Sequence, residues 1–311
     1  MMVSIAGAGV AGLCCAFELA QQGHSVTVFE KAGTLGANTC SQFAGGMLAP
    51  WCERETADEM VLTRGQKAID WWDKITQVTR LGTLVVAPQR DLAELARFAR
   101  RTTGHRPADT VKLEPELGER PGLFYPDEAH LNPEKALRDL AAACVDRGVE
   151  FSFDCIAPDD VMINCTGVLA KLPELRSVRG EMVLLRCPSL NLRRTIRLLH
   201  PRFPAYLVPR GDGIYMLGAT MIESDASGPV FLRSMMELLG AAFTLHPAFA
   251  EAEIITSGTG LRPAFPDNLP RVQQIDGTWH VNGLYRHGFL LAPAMAMDLV
   301  HKMGTPNENI C

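Results

Sequence analysis

The chain has no long apolar run, no excess of basic residues and no paired-cysteine motif. No apolar stretch reaches the roughly 18 residues that would span a bilayer, so we expect no membrane association. The 30 Lys and Arg residues are balanced by 35 Asp and Glu residues, a net charge of −5, which gives no electrostatic reason to expect nucleic acid as a partner. The apolar N-terminus lacks a positively charged leading region, which argues against a secretory signal peptide.

Nine cysteines are present, but no two are spaced as C-x-x-C, and Cys14 and Cys15 are adjacent. Eight of the nine stand among apolar or small residues, as buried thiols do. No set of zinc ligands can be assembled from them, so we expect no metal site. Unpaired thiols favour a reducing compartment, and we therefore expect a cytoplasmic protein.

The length of 311 residues predicts about two domains of roughly 150 residues each. The composition, 47% hydrophobic and 21% charged, is that of an ordinary globular protein and excludes a disordered chain or a coiled coil. The densest basic stretch contains Arg193, Arg194, Arg197 and Arg202, which alternate with apolar residues. We interpret this stretch as the solvated face of a strand rather than as a phosphate-binding patch.

A strand, a glycine-rich turn, a helix and a second strand follow one another at the N-terminus. Residues 3–6 form an apolar strand pattern, and the next six residues match G-x-G-x-x-G. In such a unit Gly7 permits the tight turn, Gly9 lets a pyrophosphate approach the backbone, and Gly12 lets helix and strand pack closely. The sequence therefore predicts a dinucleotide-binding unit.

The dinucleotide would lie across the N-terminus of the helix. Its pyrophosphate would face Val10 and Ala11, where free N–H groups and the helix dipole favour negative charge. Glu30 ends the second strand, and its carboxylate would accept hydrogen bonds from ribose hydroxyls and repel a 2′-phosphate, which argues against NADP. Lys31 follows as a further expected cofactor contact. The unit alone does not separate FAD from NAD.

The hydrophobic period changes along the chain. Helix and strand patterns alternate to about residue 167, and from about residue 179 a period of two predicts successive strands, interrupted by one helix at 230–245. The α/β pattern returns at the end of the chain. We therefore predict an α/β fold (α+β overall), in which a discontinuous Rossmann-like nucleotide domain carries an inserted, mainly antiparallel β-sheet domain.

Six short segments distributed from end to end carry a family pattern. They are residues 40–50 (CSQFAGGMLAP), 179–181 (RGE), 206–210 (YLVPR), 218–221 (GATM), 260–270 (GLRPAFPDNLP) and 283–293 (GLYRHGFLLAP). Together they resemble the FAD-dependent D-amino acid oxidase family, and within it the glycine oxidases of thiamine biosynthesis. The resemblance implies that the cofactor is FAD. On it we predict an FAD-binding domain of residues 1–79, 121–175 and 258–311, and a substrate-binding domain of residues 80–120 and 176–257.

The resemblance also implies which residues contact the flavin. Gly45 and Gly46 would let backbone N–H groups approach the edge of the isoalloxazine ring. Cys40 and Ser41 would lie near the pyrophosphate and ribityl chain, and a helix starting at Gly288 would direct its N-terminus at the pyrimidine edge. The other cofactor contacts that the resemblance implies are Met47, Thr166, Gly167, Arg286, His287, Phe289, Leu290 and Leu291.

For the substrate, the resemblance assigns Arg262 to a carboxylate, because a guanidinium group pairs two N–H donors with two carboxylate oxygens. Arg286 would close the carboxylate site or brace the loop beside the flavin. Tyr206 would donate its phenol hydrogen to the same carboxylate. Met47 and Met221 would line a small side-chain space or serve as core packing.

The implied reaction is hydride transfer from the α-carbon of glycine, or of a similar small amine, to flavin N5. The imine would hydrolyse to glyoxylate and ammonia, and dioxygen would reoxidise the flavin with release of hydrogen peroxide. Three alternatives stay open: another amine (sarcosine, a D-amino acid or D-proline), a dehydrogenase with a different acceptor, and a flavin-binding subunit of a heteromeric complex. A homo-oligomer is also possible.

The sequence departs from the family pattern in three places. It is shorter than typical glycine oxidases, chiefly within residues 80–130 and 150–160. Gln42 and Phe43 stand where small residues are usual, and His287 stands where glycine oxidases often carry Asn. His287 is either a packed histidine or a proton relay. These departures concern the choice of substrate rather than the fold.

Overall fold

The computed structural model describes residues 1–37, 39–201 and 204–304. Its helices are α1 (Val10–Gln21), α2 (Pro50–Glu53), α3 (Glu59–Gly65), α4 (Ala68–Trp72), α5 (Leu92–Arg101), α6 (Thr110–Leu113), α7 (Pro133–Val145), α8 (Leu232–Leu245) and α9 (Gly288–Gly304). Its strands are β1 (Met2–Ala6), β2 (Ser25–Phe29), β3 (Met47–Leu48), β4 (Val78–Thr79), β5 (Thr83–Val86), β6 (Arg106–Pro107), β7 (Gly122–Tyr125), β8 (Ala129–Leu131), β9 (Glu150–Ser152), β10 (Ile163–Asn164), β11 (Arg176–Arg186), β12 (Thr195–Leu198), β13 (Ala205–Gly211), β14 (Ile214–Gly218), β15 (Ile222–Glu223), β16 (Glu253–Ala264), β17 (Arg271–Ile275) and β18 (Thr278–Asn282).

The first sheet has the order β17-β18-β10-β1-β2-β9, and all its neighbouring pairs are parallel except β17 with β18. Strand β1 therefore has β2 on one side and β10 on the other. Such a change in strand order opens a crevice at the carboxyl ends of the two central strands, where ligands of doubly wound folds bind.

Helix α1 packs against this sheet, with α7 and α9 as its helical neighbours. It is buried on almost every side, as its apolar and small residues predict. A Cβ on Gly12 would overlap the carbonyl oxygen of Gly7, so only glycine permits this approach of α1 to the turn after β1.

The second sheet has the order β15-β11-β14-β13-β12-β5-β7-β6, with β16 paired along the whole length of β11. Every pairing in it is antiparallel except that of β5 with β12. Helix α8 packs on β11, β13 and β14. A third, small sheet, β3-β8-β4, completes the described strands. The predicted fold class, a Rossmann-like domain together with a mainly antiparallel sheet domain, is confirmed.

Strand pairing differs from the predicted domain boundaries at two places. Strand β7 and residues 258–264 of β16 hydrogen-bond within the second sheet, although both ranges were assigned to the FAD-binding domain. Strand β16 continues without a break across the predicted boundary between residues 257 and 258, so no change of composition marks a boundary there. The division into domains stays a prediction.

The basic stretch is not a solvated face. The side chains of Arg194 and Arg197 are only 12% and 14% exposed, and they pair with the buried carboxylates of Glu114 and Glu53. The alternation of charged and apolar residues was therefore misinterpreted, because β12 is covered on both sides. Arg202 lies outside the described residues.

The structure also bears on the cysteines and on the membrane. The eight cysteines that the structure describes are all free thiols, and Cys311 lies outside the described part. Among the described helices, none is both long enough and apolar enough to span a bilayer.

Glu128, just before β8, is a buried carboxyl group that holds α2 in place. It is 1% exposed, and its Oε1 accepts a hydrogen bond of 2.7 Å from the backbone N–H of Cys52. Its Oε2 is buried without a hydrogen-bond partner among the described protein atoms. Burial raises the pKa of Glu128 from 4.5 to about 7, against the opposing hydrogen bond from Cys52 and the charge of Arg197.

We predict that Glu128→Gln removes a pH dependence of stability. The unfolded carboxyl loses its proton near pH 4.5 and the folded one near pH 7. The contribution of this group to the free energy of unfolding is therefore complete below about pH 4.5, and it falls by roughly 3 kcal/mol as the pH rises to 7. Glutamine stays neutral throughout. Urea unfolding at pH 5 and pH 8 should therefore show that the free energy of unfolding falls more between these two pH values in the wild type than in Glu128→Gln. Equal losses in the two proteins would contradict this.

Candidate active site

The N-terminus of α1 is arranged to receive an anion. Gly9, its N-cap, supplies no capping side chain, and the first turn holds no acidic residue. The Oγ of Ser41 accepts a hydrogen bond of 3.2 Å from the N–H of Val10, which places Ser41 at the predicted pyrophosphate end. The N–H groups of a first helical turn have no acceptor within the helix, and here Ala11 and Gly12 belong to that turn.

Glu30 is held at the carboxyl end of β2 by two backbone N–H groups. Its Oε2 accepts from Ala8 at 2.8 Å and its Oε1 from Ala32 at 3.0 Å. Each carboxylate oxygen keeps a further lone pair, so the group can also accept ribose hydroxyls. Lys31 follows it and is exposed.

The loop after β10 lies against the glycine turn. A Cβ on Gly7 would be 2.9 Å from the carbonyl oxygen of Cys165 and 3.3 Å from the Cα of Thr166. Gly167 adopts a φ of +60°, which favours glycine. Thr166 and Gly167 are therefore on the crevice side of β10, and their contact with the cofactor stays a prediction.

Helix α9 begins beside the start of α1. A Cβ on Gly288 would be 3.3 Å from the Cγ1 of Val10, and the N–H of Leu291 donates to the carbonyl of His287 at 2.8 Å. Phe289, Leu290 and Leu291 are buried in the core rather than turned to solvent. Two helix N-termini thus converge at the crevice.

These features together fit a flavin dinucleotide. The first turn of α1 suits the pyrophosphate, Glu30 suits a ribose, and the N-terminus of α9 supplies a second positive helix end. The fit rests on the Glu30 carboxylate, which is fixed at the end of β2, and on Gly7 and Gly12, where a Cβ would clash with neighbouring backbone.

The loop of residues 40–47 connects this crevice with the second sheet. Ser41 faces α1, but a Cβ on Gly260 of β16 would be 2.8 Å from the Cα of Cys40. Burial raises the pKa of the Cys40 thiol, and nearby Arg262 opposes that rise. Cys40 therefore lies towards Arg262, and its place near the pyrophosphate and ribityl chain stays a prediction.

Gly45 and Gly46 are required by the protein's own atoms. A Cβ on Gly45 would be 2.7 Å from the ring of Tyr206, and one on Gly46, with a φ of +71°, would overlap the carbonyl oxygen of Leu131. The carbonyl of Gly45 accepts from Arg210 at 3.0 Å. Gly45 thus packs on the second sheet and Gly46 on β8 of the third, and their approach to a flavin edge stays a prediction.

Arg262 lies on β16, opposite Val178 of β11. Its Nη1 donates to the carbonyl of Thr220 at 2.9 Å. A Cβ on Gly180 would overlap its guanidinium group, so Arg262 lies directly on that glycine. Among the described residues no acceptor bonds its Nη2 or Nε, and these donors are available to a ligand.

Tyr206 lies on β13, with Arg197 and Gly218 as its cross-strand neighbours. Burial raises the pKa of its phenol, and Arg262, Glu53 and Arg286 are among the charges that act on it. The phenol therefore keeps its proton near neutral pH and can donate a hydrogen bond to a ligand.

Arg286 forms an ion pair that sequence reasoning did not find. Its Nη2 lies 2.7 Å from the Oε2 of Glu53 and donates to the Oγ1 of Thr56 at 2.6 Å. Glu53 is 8% exposed, and its Oε1 also accepts from Arg197 at 3.1 Å. Burial alone would raise the pKa of Glu53, but Arg286, His287 and Arg197 hold it well below its usual range.

His287 donates from Nε2 to the same Oε2 of Glu53 at 3.0 Å. Its Nδ1 is buried and has no partner among the described protein atoms. Burial lowers the pKa of His287 despite the neighbouring carboxylate, so the ring is neutral near pH 7. It is a packed histidine in this structure.

The two methionines lie in different surroundings. Met47 packs with Tyr206 and Phe43 against a buried apolar cluster that consists of Met182, Val208 and Met216. Met221 is 50% exposed, and its sulfur contacts the phenol of Tyr285 at 3.3 Å and the Nη1 of Arg286 at 3.5 Å. Met47 is therefore part of an apolar wall, and Met221 lies at the open side.

Glu53 and Arg197 are the site residues that the sequence did not reveal. Glu53 stands in a polar stretch with Glu55 and Glu59, and nothing in its spacing distinguishes it from them. Its position three residues after Pro50, which starts α2, is the only local signal that it lies on an ordered helix.

A family model for FAD-dependent oxidoreductases, DAO, matches residues 2–302. The chain belongs to this family. It is 52% identical to a Rhizobium etli protein assigned to thiamine biosynthesis as the oxidoreductase ThiO, over 98% of this chain and 97% of that protein. It is 28% identical to a glycine oxidase of Pseudomonas aeruginosa, over 97% of this chain and 94% of that protein.

The crystal structure of glycine oxidase from Geobacillus kaustophilus superposes with a TM-score of 0.81 at 23% identity, covering 98% of this chain and 95% of that one. The family and these likenesses establish an FAD-dependent oxidoreductase of the glycine oxidase and ThiO type. The expected cofactor, FAD, is confirmed by the family.

We predict that Gly12→Ala impairs FAD binding. The new methyl group would displace the Gly7 carbonyl and with it the pyrophosphate end of the crevice, so FAD affinity should fall at least about tenfold. Gly240→Ala is the matched control, because a Cβ there, also within a helix, meets nothing within 4 Å. Fluorescence titration of the apoproteins with FAD measures both. An unchanged affinity in Gly12→Ala would refute the role of this glycine.

Proposed function

We propose that this DAO-family protein oxidises glycine, or a similarly small amino acid, to its imine, which hydrolyses to glyoxylate and ammonia in the case of glycine. Dioxygen is the proposed final acceptor and leaves as hydrogen peroxide, so glycine, water and O₂ give glyoxylate, ammonia and H₂O₂. The bound FAD supplies the hydride acceptor. A role in thiamine biosynthesis is supported by the likeness to the Rhizobium etli protein.

One observation carries the proposal: free donors of two arginines and one phenol converge beside an apolar wall. Among the described residues, the Nη2 and Nε of Arg262 bond no acceptor and the Nη1 of Arg286 contacts only the sulfur of Met221, the residue after the Thr220 carbonyl that Arg262 bonds. The charges of both arginines also act on the phenol of Tyr206. This donor set suits a carboxylate, because charge-assisted N–H and O–H donors bind its oxygens strongly.

The loop of residues 40–47 supports a carboxylate site next to the cofactor crevice. Ser41 bonds the first turn of α1, and Gly45, four residues later, packs under Tyr206. An amino acid held by its carboxylate would therefore present its α-carbon towards the crevice. Orientation and exclusion of water are the contributions that these residues make to the reaction.

The apolar wall supports a small substrate. Phe43, Met47 and Tyr206 pack together on the buried cluster beneath them, and Phe43 lies so close to Gly258 that a Cβ there would overlap its ring. A bulky side chain would have to displace these groups. We therefore place glycine ahead of sarcosine, D-alanine and D-proline.

Anaerobic reduction tests this order. Glycine, sarcosine, D-alanine and D-proline are mixed separately with the oxidised, FAD-loaded protein, and absorbance near 450 nm is followed. We expect glycine to bleach the flavin with the highest rate constant per concentration, and admitted oxygen to restore it with one peroxide per glycine. If no amine bleaches the flavin, the proposed function is wrong; if bleaching is not reversed by oxygen, the protein is a dehydrogenase.

We also predict that Arg262→Ala lowers kcat/KM for the best amino acid substrate by roughly 100-fold, since a charge-assisted pair with the carboxylate is lost. Arg271→Ala is the control, because Arg271 pairs with Glu174 and Asp267 on the surface. Steady-state oxygen consumption measures both variants. A loss of less than about threefold in Arg262→Ala would reassign the carboxylate.

A further inference from the structure

Three side chains from two other segments meet at the buried carboxylate of Glu53. Glu53 comes from α2, Arg197 from β12 of the second sheet, and Arg286 and His287 from the loop that leads into α9. Glu53 accepts hydrogen bonds from Arg197 at Oε1 and from His287 at Oε2. The Nη2 of Arg286 forms an ion pair with the same Oε2 at 2.7 Å.

This arrangement divides the donors of Arg286 into two groups. Nη2 is occupied by Glu53 and Thr56. Among the described residues, Nη1 contacts only the thioether of Met221, a weak acceptor at 3.5 Å. One edge of the guanidinium group is thereby fixed, and the other edge stays free for a ligand.

We infer that Glu53 is a positioning residue, which fixes the Nη2 edge of Arg286 so that Nη1 is presented to the substrate carboxylate. This inference rests on the proposed function, in which Arg286 binds that carboxylate. Thr56 assists by accepting from the same Nη2. Glu53 acts through Arg286 and does not itself contact the reacting atoms.

A glutamine at position 53 would keep the shape but not the pattern of acceptors. Its amide NH₂ would face N–H donors of Arg197 or of Arg286 and His287, so one of these contacts must break. An Arg286 without this contact loses its preorganised orientation. Ligand binding then includes the free-energy cost of ordering the side chain and becomes weaker.

Removal of the Glu53 charge changes the affinity for a carboxylate in opposite directions under the two possible roles, positioning and charge neutralisation. If Glu53 served only to neutralise the arginines, its removal would leave the site more positive and bind a carboxylate more tightly. If it positions Arg286, removal weakens binding although the site has gained net positive charge.

The test uses acetate as the probe, with binding measured from the change in flavin absorbance of the FAD-loaded protein. For Glu53→Gln we expect the acetate Kd and the KM for glycine to rise about tenfold, with kcat at saturating glycine within about threefold of wild type. Thr56→Val should raise the same constants by about threefold. Because Thr56 is exposed, Thr56→Val takes the place of Glu53→Gln in the test if Glu53→Gln does not fold.

Glu55→Gln is the matched control. Glu55, two residues after Glu53, pairs with Arg97 at 2.6 Å and, among the described residues, forms no hydrogen bond or ion pair with Arg197, Arg262 or Arg286. It should leave the acetate Kd unchanged. In an Arg286→Ala background, Glu53→Gln should add less than about twofold, because a residue that acts through Arg286 has no effect once Arg286 is gone.

Tighter or unchanged acetate binding in Glu53→Gln would overturn the inference, as would an effect that adds fully to that of Arg286→Ala. In either case a wild-type protein that binds acetate and oxidises glycine leaves the proposed function intact. A wild-type protein whose flavin responds to neither acetate nor glycine would overturn the proposed function and, with it, this role of Glu53.

Discussion

The candidate site depends on one buried carboxylate. Arginine side chains cannot be placed in a dry interior without a partner, because an unpaired buried charge is costly. Glu53 provides that partner to Arg197 and Arg286 at once, and it joins the second sheet to the loop before α9. The donors that remain on the arginines are those left free to bind a ligand. The ion pairs with Glu53 thus decide which arginine N–H groups are left to bind a ligand.

Close backbone packing brings the cofactor crevice and this charge cluster together. Gly12 lets α1 approach the turn after β1, and Gly45 lets the loop of residues 40–47 lie on Tyr206. Each contact joins elements that are distant in sequence, and each needs a residue without a Cβ. The glycines therefore determine the distance between nucleotide and substrate, and the charged side chains determine what is bound there.

Local features were predictable from the sequence, and long-range ones were not. The unit from Gly7 to Glu30 was read correctly because a strand, a turn, a helix and a second strand are encoded within thirty residues. Arg197 was misread because alternation shows a strand but not whether both of its faces are covered. Glu53 was missed because its partners lie 144 and 234 residues away, and no local pattern reports such contacts.

The central claim, that one carboxylate fixes Arg286 while its free edge binds the substrate, is tested most directly by a crystal structure of the FAD-loaded protein with acetate. The account predicts acetate oxygens within hydrogen-bonding distance of the Arg262 and Arg286 guanidinium groups, with Nη2 of Arg286 still on Glu53. An acetate bound elsewhere, or an Arg286 that leaves Glu53 to reach it, would contradict the account.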